Sequence, residues 1–159
     1  MKKREKVIEV LNDLIRVNND RIEGYEKEAH EERNTDPDIK SAFYQMATES
    51  RSFVNELHAE VLKLGGAPVS KTTISGKVYL FWLDLRANFT AGYTGSDVYA
   101  ILSACEAGEE AVQQVYSEAL ESGSDLPDNI RILIERQQYI LRNDLDLIRR
   151  YKDEQMVLK

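Results

Sequence analysis

Apolar residues recur at helical spacing along most of this chain. In the first segment Val7, Leu11, Leu14, Ile22 and Tyr25 share one stripe, with Ile8 and Ile15 beside it. The sequence Asn34-Thr35-Asp36-Pro37 then interrupts the pattern. Asp36 is suited to cap a new helix and Pro37 to open it, because the first helical N–H has no intrahelical partner to lose. A second stripe follows with Ile39, Phe43, Met46, Phe53, Leu57, Val61 and Leu64, and Gly65-Gly66 with Pro68 supplies its stop. Ser96-Asp97 opens a third, carrying Val98, Ile101, Cys105, Val112, Tyr116 and Ala119. After Ser122-Gly123-Ser124, Pro127 begins a fourth, with Ile130, Leu133, Ile134, Leu141, Ile148 and Tyr151 on its inner face. The spacing predicts helices over about 4–33, 37–64, 97–122 and 127–154, each about 40 Å long at 1.5 Å per residue.

Four long amphipathic helices bury their stripes most simply against one another, in a single all-α domain spanning 1–159. The first and third connections are short, so each helix pair is expected to form an antiparallel hairpin. The second, 65–96, has about 30 residues, enough to run the length of the bundle. Two hairpins joined by one long crossover make the ferritin-like arrangement. Within the crossover, Val78, Phe81, Trp82, Leu85 and Phe89 follow helical spacing and predict a short fifth helix over about 76–89. That helix would cover the bundle or a neighbouring subunit. A homo-oligomer, dimer or higher, is therefore expected, with Phe81, Trp82 and Leu85 as its contact.

Each stripe is broken by polar residues near its middle. Asn18 lies between Leu14 and Ile22 and is followed by Asn19 and Asp20; Glu49 and Ser50 lie between Met46 and Phe53; Gly108-Glu109 separates Cys105 from Val112; Gln137 precedes Leu141 and Asp144 precedes Ile148. Folding should bring these breaks to one level. Buried polar groups are costly unless paired, so the candidate layer of Asn18, Glu49, Glu109, Gln137 and Asp144 has three readings. It is a hydrogen-bonded network that fixes helix register, a carboxylate-rich metal site, or a set of residues that helix rotation carries to the surface. Tyr25 and Tyr116 lie on inner stripes, from which their hydroxyls would reach the layer.

Several segments together resemble a bacterial ferritin-like four-helix-bundle family of uncharacterised function. They are Leu11-Asn12-Asp13-Leu14-Ile15, Asn18-Asn19-Asp20, Glu23-Gly24-Tyr25-Glu26, Leu64-Gly65-Gly66-Ala67-Pro68, Gly76 followed by Trp82, Cys105-Glu106-Ala107-Gly108-Glu109-Glu110, Leu126-Pro127 and Gln137-Gln138. The resemblance covers nearly the whole chain and implies a fold, not an activity. Di-iron members of the wider ferritin-like group use a Glu from each of two helices and a Glu-x-x-His pair from each of the others. This chain departs from that pattern. Glu49 is followed three residues on by Ser52, Asn18 and Asn19 stand at the break of the first helix, and Glu135 is followed by Gln138. Tyr79 and Leu145 stand where typical members of the resembled family carry histidine. His30 and His58 are the only histidines, and neither follows a Glu at the required interval. The remaining carboxylates would suit a hard cation such as Mg²⁺, Ca²⁺ or Mn²⁺ rather than redox iron.

Composition removes other classes. Hydrophobic residues make up 42% and charged residues 31%, and acids outnumber bases 28 to 21 for a net charge of -7. Arg149, Arg150 and Lys152 are interleaved with Asp146 and Asp153, so no basic face suggests nucleic acid or an anionic membrane. The start, MKKREKVIEVLNDL, has no unbroken apolar stretch, and the one cysteine, Cys105, fits a reducing compartment; the expectation is cytoplasmic. Cys105 reads as a small buried hydrophobe. Neither a Gly-x-Ser-x-Gly elbow, a phosphate-binding glycine loop nor a Cys-x-x-Cys pair occurs. No catalytic residue and no cofactor is expected. The sequence points to a non-catalytic bundle acting by self-association or through a protein partner, as a stress-related scaffold. The competing expectation is a degenerate di-metal carboxylate protein with a weak oxygen-ligand site.

Overall fold

Four helices account for the regular structure of the described residues, which in this computed structural model are 3–30, 36–69, 98–121 and 125–157. They are α1 (Lys3–His30), α2 (Pro37–Lys63), α3 (Val98–Glu121) and α4 (Asp128–Val157). No strand occurs among the described residues. The fourth helix runs three residues past its expected end. The crossover helix expected over 76–89, with Phe81, Trp82 and Leu85, lies outside the described residues, as does Tyr79.

The ends of α2 follow from local chemistry. Asp36 has extended backbone angles, and its carboxylate accepts from the N–H groups of Asp38 (2.9 Å) and Ile39 (3.3 Å) while Pro37 starts the helix. At the other end Gly65 takes a φ of 79°, the left-handed region that a side chain penalises. This lets Gly65 N–H reach the Leu62 carbonyl and Gly66 N–H the Val61 carbonyl, both at 3.0 Å, closing a Schellman turn. Arg4 donates to the Leu64 carbonyl at 3.0 Å. Asn12 then clamps the departing chain, donating to the Ala67 carbonyl (3.2 Å) and accepting from Val69 N–H (3.1 Å).

Directions and neighbours can be read from side-chain bridges. Arg4 to Leu64, Asn18 to Ser50 and His30 to Tyr44 run α1 antiparallel to α2. Ser117 to Gln138 and Glu106 to Arg149 do the same for α3 and α4. Between the hairpins, Asn18–Tyr116 and Arg21–Glu109 set α1 antiparallel to α3, and Glu60–Asn129 and Phe53–Gln137 set α2 antiparallel to α4. Every adjacent pair is thus antiparallel. The end of α2 and the start of α3 consequently lie at opposite ends of the bundle. Packing is closest inside each hairpin and looser along the α1/α3 and α2/α4 seams.

The core holds the predicted stripes: Leu11, Leu14, Phe43, Met46, Leu57, Ile101, Val112, Ile134, Leu141 and Ile148 are all buried. Ile22, Leu64, Val98, Leu133 and Tyr151 pack against this core while staying partly exposed. Among the described residues no helix is long and apolar enough to cross a membrane.

Removing the Asp36 cap or the Gly65 turn tests the helix boundaries. Asp36→Ala is expected to cost about 1 kcal/mol. Gly65→Ala is expected to cost a further ~1 kcal/mol through the disfavoured φ. Urea unfolding monitored by circular dichroism reads both, with unchanged m-values.

A candidate polar centre built on Arg21

The α1 core positions alternate at intervals of four and three: Val7, Leu11, Leu14, Asn18, Arg21, Tyr25 and Glu28 are all buried. This pattern puts a full guanidinium inside the bundle. Arg21 is 0% exposed and meets groups from the three other helices. Its Nε and Nη2 donate to the two oxygens of Glu109 on α3 at 2.6 and 3.0 Å, a bidentate fork. Nη2 also donates to Asp144 on α4 at 2.9 Å. Nη1 donates to Ser50 Oγ at 2.8 Å and to the Met46 carbonyl at 3.2 Å, both on α2. Glu49 Oε1 lies 3.8 Å from Nη1. The guanidinium carbon lies 5.2 Å from the centroid of the Tyr25 ring, which also makes a tilted contact with Phe43.

One turn away a second tier is hydrogen-bonded to the first. Ser50 Oγ donates to Asn18 Oδ1 at 2.9 Å. Asn18 Nδ2 donates to the Leu14 carbonyl and to Tyr116 Oη, both at 2.8 Å. Tyr116 Oη in turn donates to Gln137 Oε1 at 2.7 Å. Gln137 Nε2 donates to Glu56 Oε1 (3.2 Å) and more weakly to the Phe53 carbonyl (3.4 Å), and Glu56 pairs with Arg136 at the surface. A continuous chain of polar contacts therefore runs from the Arg136–Glu56 pair through the middle of the bundle to Arg21 and Glu109.

Of the five residues marked in the sequence, Asn18, Glu109 and Gln137 are buried within this chain. Asp144 joins it with 13% of its side chain exposed, and Glu49 sits at its rim with 22% exposed. Helix rotation thus keeps Asn18, Glu109 and Gln137 inside and turns Glu49 and Asp144 partly toward the surface. The residue that organises the layer, Arg21, was absent from the candidates. A charged side chain beside the apolar Ile22 reads as outward-facing, although its interval from Leu14 and Tyr25 was the available signal. Ser50, one position from Glu49, is likewise the fully buried member of its pair.

Electrostatics follow from burial. Burial opposes the Arg21 charge, but Glu109, Tyr25 and Asp144 together outweigh it, so the guanidinium is held more firmly protonated than usual. Burial pushes Glu109 above the ordinary carboxylate range, against the pull of Arg21. Glu49 is pushed up to about 9, first by burial and then by its hydrogen bond to Asp144. Tyr116 and Tyr25 are both raised by burial. Burial also raises the Cys105 thiol, which leaves it a poor nucleophile. His30 is exposed and bonded to Tyr44, while His58 is half-buried on α2.

A metal pair of the kind that ferritin-like bundles hold does not fit this arrangement. The Glu109 and Asp144 oxygens that an ion would need accept hydrogen bonds from Arg21, whose positive charge already balances them. Neither histidine enters the layer. Among the described residues, no group of three or more His, Cys, Asp or Glu side chains is arranged to hold a metal ion.

Compared with known proteins, residues 6–122 match the family described as a domain of unknown function, DUF2383. The match takes in α1, α2 and α3 and stops before α4, which supplies Gln137 and Asp144. No curated protein matches the chain.

Two substitutions test the network. Arg21→Met strands Glu109 without its counter-charge and is expected to destabilise by about 3–5 kcal/mol, and adding Glu109→Gln should recover part of that loss. Tyr116→Phe leaves the Gln137 oxygen without its donor and is expected to cost about 1–3 kcal/mol. Chemical denaturation of the three variants against the parent measures both.

Proposed function

This chain belongs to the DUF2383 family, and from the closure of its buried polar layer we propose that it is a non-catalytic ferritin-like bundle acting through self-association or a protein partner. The observation that carries this reading is the guanidinium of Arg21, which takes the centre of the layer and binds the acceptors that a metal or substrate would need. A reaction centre requires a group left free to bind and change; here Asn18, Arg21, Ser50, Glu109, Tyr116 and Gln137 spend their donors and acceptors on one another, and the thiol of Cys105 is raised. The antiparallel neighbours, with α2 ending and α3 starting at opposite ends, support the ferritin-like part of the proposal; the short fifth helix over 76–89 rests on the sequence spacing alone. On this reading the protein is cytoplasmic and works by its outer surface. The crossover residues Phe81, Trp82 and Leu85 are the proposed contact. Ile132 and Tyr139, 65% and 68% exposed on one face of α4, add apolar area on the described surface.

A second reading, a weak oxygen-ligand metal site, draws on one feature: Glu49, Glu109 and Asp144 reach a common point from three different helices. The counter-charge on Arg21 weighs against it.

Reconstitution with Fe²⁺ or Mn²⁺ followed by elemental analysis separates the two. The association reading predicts metal well below one ion per chain and a dimer or larger species by light scattering. Stoichiometric metal that is lost on Glu109→Ala, or a strict monomer at high concentration, would contradict it.

A further inference from the structure

The outer ridge of α4 carries charges arranged about Tyr139. Toward the N-terminus, at intervals of three and four, come Glu135, Arg131 and Asp128; toward the C-terminus come Arg142, Asp146 and Arg149. Such intervals keep these positions on one side of the helix. All but the half-buried Arg131 are exposed. In chain order their signs read minus, plus, minus before Tyr139 and plus, minus, plus after it. The row is therefore reversed in sign about the tyrosine, at nearly matching distances along the helix. Glu135 and Arg142, the innermost charges, enter no ion pair among the described residues.

Alternating charge by itself suits a solvated helix, because opposite charges one turn apart support it. Such a helix gains nothing from large apolar side chains in the same row. Ile132 and Tyr139, two turns apart, nonetheless stand mostly exposed within the ridge. On one flank Arg136 is held by Glu56 of α2, and at the far end Arg149 reaches Glu106 and Glu110 of α3. Tyr139 looks outward between these ties. A second copy laid antiparallel, with the two-fold axis at Tyr139, matches every charge in the row. Glu135 then faces Arg142 of the second copy, Arg131 faces its Asp146, and Asp128 faces its Arg149, each contact occurring twice. A parallel pairing would set each charge against itself.

We propose that two copies of this chain pair through α4, antiparallel, with Tyr139 on the two-fold axis and Glu135–Arg142 ion pairs above and below it. The proposal rests on the self-association reading and gives it a second contact, distinct from the crossover. The two apolar side chains supply the buried area, with the tyrosine rings meeting at the centre. The charges around them fix orientation more than affinity, since exposed pairs contribute little to stability but reject a mismatched alignment.

Sedimentation velocity of the full chain tests the pairing by exchange of charge. The parent should be a dimer. Glu135→Arg and Arg142→Glu each set like charges across the axis twice, and each should weaken the dimer by about tenfold or more. Mixed in equal amounts, the two variants should pair with each other as the parent does with itself. One copy then carries arginine at both positions and the other glutamate. If both variants dimerise like the parent, or if their mixture stays monomeric, the α4 contact is overturned while self-association through the crossover stands. A monomeric parent overturns both. Tyr139→Cys provides a measurement that leaves every charge in place. A short bis-maleimide should link two copies through it and leave the parent, whose Cys105 is buried, unlinked. Absence of the linked product from a dimeric Tyr139→Cys variant would overturn the placement of the axis.

Discussion

A guanidinium cannot be left alone inside a protein. Withdrawing its charge from water carries a desolvation penalty of several kcal/mol, which only close opposite charge and filled hydrogen bonds offset. Arg21 is wholly buried, so each of the other three helices must deliver an acceptor to the same level. The α3 helix supplies Glu109, α4 supplies Asp144, and α2 supplies Ser50 and the Met46 carbonyl. Arginine suits this role better than lysine because its planar fork addresses several directions at fixed geometry. A slide of any helix by one turn, about 5.4 Å, would strand the charge, so this contact selects one register among those that the apolar stripes would accept.

The same contact determines the chemistry of the interior. Carboxylates gathered from three helices would ordinarily suggest a cation site, and here a cation is already present, attached to the chain. Tyr116 extends the control to the next tier, since its hydroxyl accepts from Asn18 and donates to Gln137. At the rim of the layer, nearer solvent, stand Asp144 and Glu49. A buried ionic network of this kind contributes less to net stability than a well-packed apolar core of the same size would. Its contribution is to specify one arrangement of two hairpins that pack loosely against each other.

Much of this was legible in the sequence. Asp36-Pro37 and Gly65-Gly66 have short-range signatures, and α2 begins and ends where they predict. The polar level was visible because each stripe loses its apolar residue near mid-helix, at Asn18, Glu109 and Gln137 among others. Arg21 was not visible for a physical reason. Adjacent helical residues differ by about 100° in direction, so Arg21 and Ile22 compete for the inward position, and hydrophobicity favours the wrong one. Only the partners decide the matter, and Glu109 and Asp144 lie 88 and 123 residues away. The choice between Glu49 and Ser50 has the same character: the small hydroxyl fits beneath the guanidinium, and the longer acid is displaced to the edge.

If Arg21 is the resident cation of the layer, its side-chain N–H groups must be both shielded and insensitive to added metal. Nitrogen-15 NMR of the Arg21 Nε–H reports this directly. The account predicts a resolved signal in slow exchange with water at neutral pH, unchanged in width on addition of Mn²⁺. A signal that exchanges rapidly, or that is broadened away by Mn²⁺ entering the layer, would contradict it.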